Sequence, residues 1–168
     1  LRERGKVRRE PIQMGDLGAI SLWIALALAA YSAVGSIAGK MRGSPALIES
    51  GQSAMYAALV AIFVSTLSLV VAFIGRDFEI AYVARHSDLA MADRFTWVAF
   101  YGGNEGSLLV IAMTLAVMEA IAIWRAPEKV RDARPYSTGV MMLVLTFFLA
   151  VTAVMANPFE KLPFVPAD

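Results

Sequence analysis

The chain has 168 residues, of which 58% are hydrophobic and only 17% charged, and its mean hydropathy is +0.62. A soluble domain carries about a quarter charged residues and under half apolar ones, so this composition belongs to a membrane protein. A net charge of +1, from 15 Lys+Arg against 14 Asp+Glu with no basic stripe, points to no nucleic-acid partner, and the absence of cysteine excludes disulfides, thiolate metal sites and a cysteine nucleophile.

The opening segment, residues 1–13, holds Arg2, Arg4, Lys6, Arg8 and Arg9 and reads as a charged N-terminal extension, with Met14 a natural start. Four apolar stretches follow that meet the roughly 20 residues a bilayer crossing needs, at about 17–38, 54–74, 107–124 and 138–155. Breakers mark their ends: Gly39, then Gly75-Arg76-Asp77, then Pro127, then Asn157-Pro158. The first stretch is longer than a signal-peptide core and is followed by three more, so it is expected to be retained. The fold class is therefore an all-α membrane protein, with a four-helix transmembrane region over 14–156 and a tail over 157–168 leading to a further C-terminal part. Small residues recur along the first span (Ala25, Ala29, Ala30, Ser32, Ala33, Ser36), as close helix packing in lipid requires.

Loop charges set an expected orientation. Lys40 and Arg42 follow the first span, and Arg125, Lys129, Arg131 and Arg134 follow the third; by the positive-inside rule these six lie in the cytoplasm. The opposite loops, counted from Met14, carry Arg76, Arg85, Arg94 and Lys161. Both termini and the long loop between the second and third spans then lie outside. In that loop Phe78, Ile80 and Tyr82 alternate with Glu79 and Ala81, which predicts a short extended stretch. Asp88 or Asp93 is expected to cap a short helix bearing Phe95, Val98 and Ala99, with Trp97 and Tyr101 nearby, lying along the membrane surface as an interfacial outer loop.

The densest candidate site is Tyr101-Gly102-Gly103-Asn104-Glu105-Gly106-Ser107, directly before the third span. Its glycines permit a tight turn or close approach, Asn104 or Ser107 suits a helix cap, and Glu105 suits the positive helix end. Two readings stand: a helix start at the membrane surface, or a pocket wall for an anionic or planar ligand. No βαβ context surrounds it, so it is no dinucleotide fingerprint. Glu119 is the one ionisable residue inside a span, and is expected either to face a polar interior or to pair with Arg125 near the helix end. His86, in a charged stretch, is expected to be solvated, and no metal-ligand spacing stands beside it. Neither a metal site nor a catalytic residue is expected from these patterns.

Three stretches in order resemble the CcmF/NrfE haem lyase family of cytochrome c maturation. They are Asp77-Phe78-Glu79-Ile80-Ala81-Tyr82-Val83-Ala84 with Ser87 following, Gly102 to Leu109, and Asn157-Pro158-Phe159-Glu160-Lys161-Leu162-Pro163. They are similar to that family's D-F-x-x-x-Y-V-A-x-x-S, W-G-x-x-E-G-S-L-L and N-P-F segments, with Tyr101 where the family usually has Trp. The resemblance covers about Met14 to Asp168. It implies a bacterial inner-membrane protein that handles haem and serves its attachment to apocytochrome c outside the membrane, with a haem chaperone, apocytochrome c and other maturation subunits as partners beside membrane lipid. It also implies that 101–107 lies beside the haem site, and that the family's haem ligands and lyase chemistry belong to sequence beyond the fourth span. The chain itself lacks the C-x-x-C-H attachment pattern. From other classes, an ion or proton transporter subunit predicts several intramembrane charges, of which only Glu119 is present, and a non-catalytic docking scaffold predicts a partner at the outer loop.

Overall fold

A computed structural model describes residues 14–75, 77–86 and 100–161. In chain order the named elements are α1 (Met14–Arg42), α2 (Pro45–Ile74), α3 (Ala81–His86), α4 (Asn104–Arg125), a 3-10 turn (Glu128–Val130) and α5 (Arg134–Val154). Among the described residues α1, α2, α4 and α5 are long and apolar enough to cross a membrane. They are helices because lipid offers no partner to backbone amides and carbonyls, so an apolar span satisfies them internally.

At 1.5 Å per residue, α4 and α5 reach about 32 Å, close to the hydrocarbon thickness. The first two helices run on for 29 and 30 residues and therefore project beyond it. Gly39 does not end α1, contrary to its reading as a breaker. The helix continues to Arg42, and Gly39 serves packing: a Cβ there would sit 2.8 Å from the Ile48 amide nitrogen of α2. The chain reverses instead at Gly43, whose φ of +63° is the left-handed conformation glycine adopts without a Cβ penalty. Pro45 and Pro135 open α2 and α5, where a missing amide hydrogen costs nothing.

The four long helices run alternately up and down in a ring, with α1 between α2 and α5, and α4 closing the ring against α5 and α2. Small residues bring α1 and α2 together. Ala25, Ala29, Ser32, Ala33 and Ser36 are buried as their spacing predicts, and Ser32 Oγ donates to the Gly51 carbonyl at 2.7 Å. Further along the pair, Ser65 Oγ donates to Gly18 O at 3.1 Å. On the other side of α1, Gly139 of α5 leaves room for Ile37 and the Ala33 carbonyl. Large apolar side chains such as Trp23, Val34, Phe63, Leu143 and Phe147 stay on the outside, where lipid tails are as apolar as a protein core.

The extended stretch expected over Phe78 to Tyr82 is not formed. Only Ile80 pairs as a strand residue, in an isolated antiparallel bridge to Lys161, and the chain turns into α3 at Ala81. Helix wins there because it directs Tyr82 and Val83 into the bundle, where both are buried. The surface helix expected around Phe95, Trp97, Val98 and Ala99, with Asp88 or Asp93 as cap, lies outside the described residues.

Candidate functional site

One end of the bundle is closed by a clasp in which the three sequence motifs converge. The start of α1, the end of α2, α3, the start of α4 and residues 157–161 all meet there. Tyr82 is its centre. Its ring is 2% exposed and meets Phe73 edge-on at 5.3 Å between centroids, while Phe73 meets Phe100 in the same way at 6.0 Å. The Tyr82 hydroxyl donates to the Phe100 carbonyl at 2.8 Å. Beneath it lie Gly103 and Gly106 with no side chains: a Cβ at Gly103 would stand 2.7 Å from that hydroxyl, and one at Gly106 2.5 Å. The glycines of the 101–107 segment are thus spaced to seat a phenol, and Gly102, with nothing within 4 Å, is the one that is not needed for packing.

The third motif locks on from the other side. The Ala81 amide donates to Glu160 O at 2.8 Å, Asn157 Oδ1 accepts from the Phe159 amide at 3.0 Å, and the buried Phe159 ring lies on the bare face of Gly18. Gly15 makes room for Ile80 in the same manner. Lys161 and Asp16 form an ion pair at 2.7 Å, with both side chains nearly half exposed, so it adds well under 1 kcal/mol. Its partner holds the Lys161 ammonium above its usual range.

Within 101–107 the expected caps are not used. Gly103 is the N-cap of α4 and carries no side chain, and Ser107 Oγ turns back to donate to Asn104 O at 3.0 Å. Glu105 does sit in the first turn of α4, where the helix end favours its charge. Tyr101 and Asn104 point to the surface, Tyr101 with 59% of its area exposed. Nor is His86 simply solvated. It is half-buried, its ring is 4.6 Å from that of Tyr82, and its Nδ1 lies 3.1 Å from the Tyr82 carbonyl. A carbonyl only accepts, so Nδ1 carries the hydrogen of that contact, and Nε2 lies beside Gly103. Sequence reasoning missed this pairing, although the Tyr-x-x-x-His spacing on a helix was its signal.

Burial pushes the Tyr82 phenol above its ordinary value of 10.0, against amide hydrogen bonds from Gly106 and Gly103 that pull the other way, while the Glu105 charge adds to the rise. A phenol that holds its proton longer when folded contributes stability that is complete below pH 10 and is lost as pH rises through the higher folded value. We therefore expect melting temperature to fall steeply above pH 10, and Tyr82→Phe to flatten that fall. An alkaline loss of equal slope in the variant would assign it to other groups.

Deep in the bundle, Glu119 of α4 is 2% exposed and turned toward Thr138 of α5. It does not pair with Arg125, which is exposed and lies 5.8 Å from the Trp124 ring centre. Thr138 Oγ1 stands beside the carboxyl, yet no hydrogen bond of ordinary geometry reaches it or Glu119 Oε1 among the described residues, so the contact leaves both poorly satisfied. An unsatisfied buried polar atom costs about 1–3 kcal/mol. Replacing Glu119 by leucine is therefore expected to raise stability by about 1–2 kcal/mol, read as a higher midpoint in thermal unfolding of the detergent-solubilised protein. A lower midpoint would mean that the carboxyl is held by a partner. No cluster of three or more metal-ligating side chains occurs among the described residues.

No family model matches the chain. Among curated proteins, the cytochrome c-type biogenesis protein CcmF of Pseudomonas fluorescens is 31% identical over 156 residues, covering 91% of this chain and 23% of that protein. The cytochrome c-type biogenesis protein NrfE of Haemophilus influenzae is 28% identical over 153 residues, covering 91% of this chain and 24% of its own length. The chain belongs to the CcmF/NrfE family. It spans about a quarter of the length of the curated CcmF and NrfE proteins it matches. The fold agrees: a solved structure titled "Cytochrome c Heme Lyase CcmF" superposes with a TM-score of 0.85 at 21% identity, over 95% of this chain and 27% of that one. This CcmF/NrfE stretch is accordingly a membrane unit of four spanning helices closed at one end by the Tyr82 clasp.

Proposed function

We propose that this chain is one membrane part of a longer haem-handling cytochrome c biogenesis protein, serving haem delivery and attachment to apocytochrome c outside a bacterial inner membrane. The observation that carries this reading is the 31% identity to CcmF across 91% of the chain. In this reading the chain supplies scaffold and no chemistry. Its clasp, with both termini and the long loop, faces outward, and the six Lys/Arg of the opposite loops face the cytoplasm. Haem belongs to the whole protein and is held by residues beyond this stretch. Within the chain, Tyr101 to Ser107 contributes the wall nearest the haem, with the exposed Tyr101 ring as the surface that meets haem or a partner and Gly103 and Gly106 as the internal seat that fixes it. A haem chaperone, apocytochrome c and other maturation subunits are the partners that such a surface would serve.

The test compares the chain with a version extended through the downstream region, both purified from membranes and read for a Soret band. Haem in the extended protein alone is the expected result. Haem in neither would overturn the reading, and haem in the short chain that disappears on His86→Ala would make this stretch a ligand-bearing part.

A further inference from the structure

The end of the bundle opposite the clasp has two adjoining cavities of different character, with Arg134 in the wall of both. The first, about 410 Å³, lies between the α1–α2 turn and the start of α5, and its walls include Lys40, Arg131 and Arg134 against Glu49 and Asp132. The second, about 330 Å³, is walled chiefly by Ala122, Ile123, Ala126, Pro127 and Val130. Both open where the helices end, which for four bilayer-spanning helices is the level of the lipid headgroups. Asp132 pairs with Lys40 at 3.0 Å and Glu128 with Arg131 at 3.6 Å, but the Asp132, Glu128 and Arg131 side chains are largely exposed, so these surface pairs are weak and leave the wall one positive charge in excess of Glu49 and Asp132. Arg134 is anchored by donating through Nη2 to the Ala126 carbonyl, which leaves its Nε buried with no hydrogen-bond partner among the described residues. The starts of α2 and α5, at Pro45 and Pro135, also border the charged cavity, and neither helix has a side-chain cap.

A cationic hollow joined to an apolar one, at headgroup depth, has the shape and charge order of an acidic phospholipid. We propose that this end of the protein binds one anionic phospholipid, its phosphate beside Lys40, Arg131 and Arg134 and the start of an acyl chain along Ala126, Pro127 and Val130. Basic pockets between membrane helices recognise acidic headgroups by this charge arrangement. The proposal depends on the four helices spanning a bilayer and not on the haem reading, so the two fail independently.

The protein would be delipidated in detergent and titrated with dioleoylphosphatidylglycerol, dioleoylphosphatidylcholine and inorganic phosphate, with bound lipid counted by native mass spectrometry. Phosphatidylglycerol is expected to bind roughly ten-fold more tightly than phosphatidylcholine, each basic group near the surface adding on the order of a few-fold. The double variant Lys40→Gln/Arg131→Gln should remove that preference, while Val130→Trp, which fills the apolar hollow, should weaken both lipids. Asp132→Asn breaks the same ion pair as Lys40→Gln without removing a cation, so it should keep or strengthen the preference. Equal binding of the two lipids would overturn the proposal. So would displacement of phosphatidylglycerol by millimolar phosphate, or loss of preference in Asp132→Asn, which would mark an anion site or a merely structural ion pair.

Discussion

Gly106→Ala is expected to lower the stability of the folded protein by about 3 kcal/mol, at the top of the usual range for overpacking a filled site. The added methyl overlaps the Phe100 carbonyl and stands 2.5 Å from the Tyr82 hydroxyl. Neither can retreat. Their mutual hydrogen bond fixes the carbonyl, and Phe73 and His86 hold the ring that carries the hydroxyl. Relief therefore requires α3 to leave the bundle, which exposes Tyr82 and Val83 together. Gly102→Ala, four residues earlier in the same segment, meets nothing within 4 Å and should leave the melting point where it was. Comparable losses in the two variants would mean that the segment responds to backbone restriction and not to the seat it makes for Tyr82. If haem handling depends on the position of Tyr101, the Gly106 variant should also lose haem-dependent activity in the full-length protein.

The second large effect is expected at Gly51, in the contact between α1 and α2. A Cβ there would lie 2.6 Å from Ser36 Oγ, 2.9 Å from the Ser36 amide nitrogen and 3.3 Å from the Gly35 carbonyl carbon. Two of these atoms are backbone, so a side chain must push the helices apart. Separation also breaks the bond from Ser32 to the Gly51 carbonyl, leaving a buried hydroxyl without a partner. We expect Gly51→Leu to cost about 3 kcal/mol and Gly51→Ala roughly half that, measured by thermal unfolding in detergent. Ser36→Ala should rescue Gly51→Ala only in part, because it removes the hydroxyl contact and leaves the backbone one. Ser53→Leu, two residues away on the exposed face, is the control that should change nothing. A full rescue by Ser36→Ala would show that the helices have room to adjust.

Between them these positions show which parts of the protein were legible in the residues. The spans were legible because transfer into lipid is additive along a helix: an uninterrupted apolar run reports its own environment without knowledge of its neighbours. The small-residue stripe of α1 was legible for a related reason, since a 3.6-residue period places Ala25, Ala29, Ser32 and Ser36 on one face wherever the helix lies. Local order also pointed to the three motifs that mark the family, and each of them proved to be part of one structural unit. Alternation at Phe78, Ile80 and Tyr82 misled, because a period of two in five residues is weak beside the burial of an aromatic ring. Gly39 misled as well: a glycine tolerated for close approach carries the same letter as one that ends a helix.

Composition and hydropathy by themselves determined that this is a membrane chain with four spanning helices, and three short motifs pointed to its family. Only the tertiary structure decided that Asp77 to Ala84, Gly102 to Ser107 and Asn157 to Lys161 close over one another, that Gly103 and Gly106 are bare so that Tyr82 fits, and that Glu119 faces Thr138 and not Arg125. The reason is physical. Insertion into lipid depends on what each segment is, whereas a clasp depends on which atoms of distant segments occupy the same few ångströms, and that is settled only when the four helices have packed.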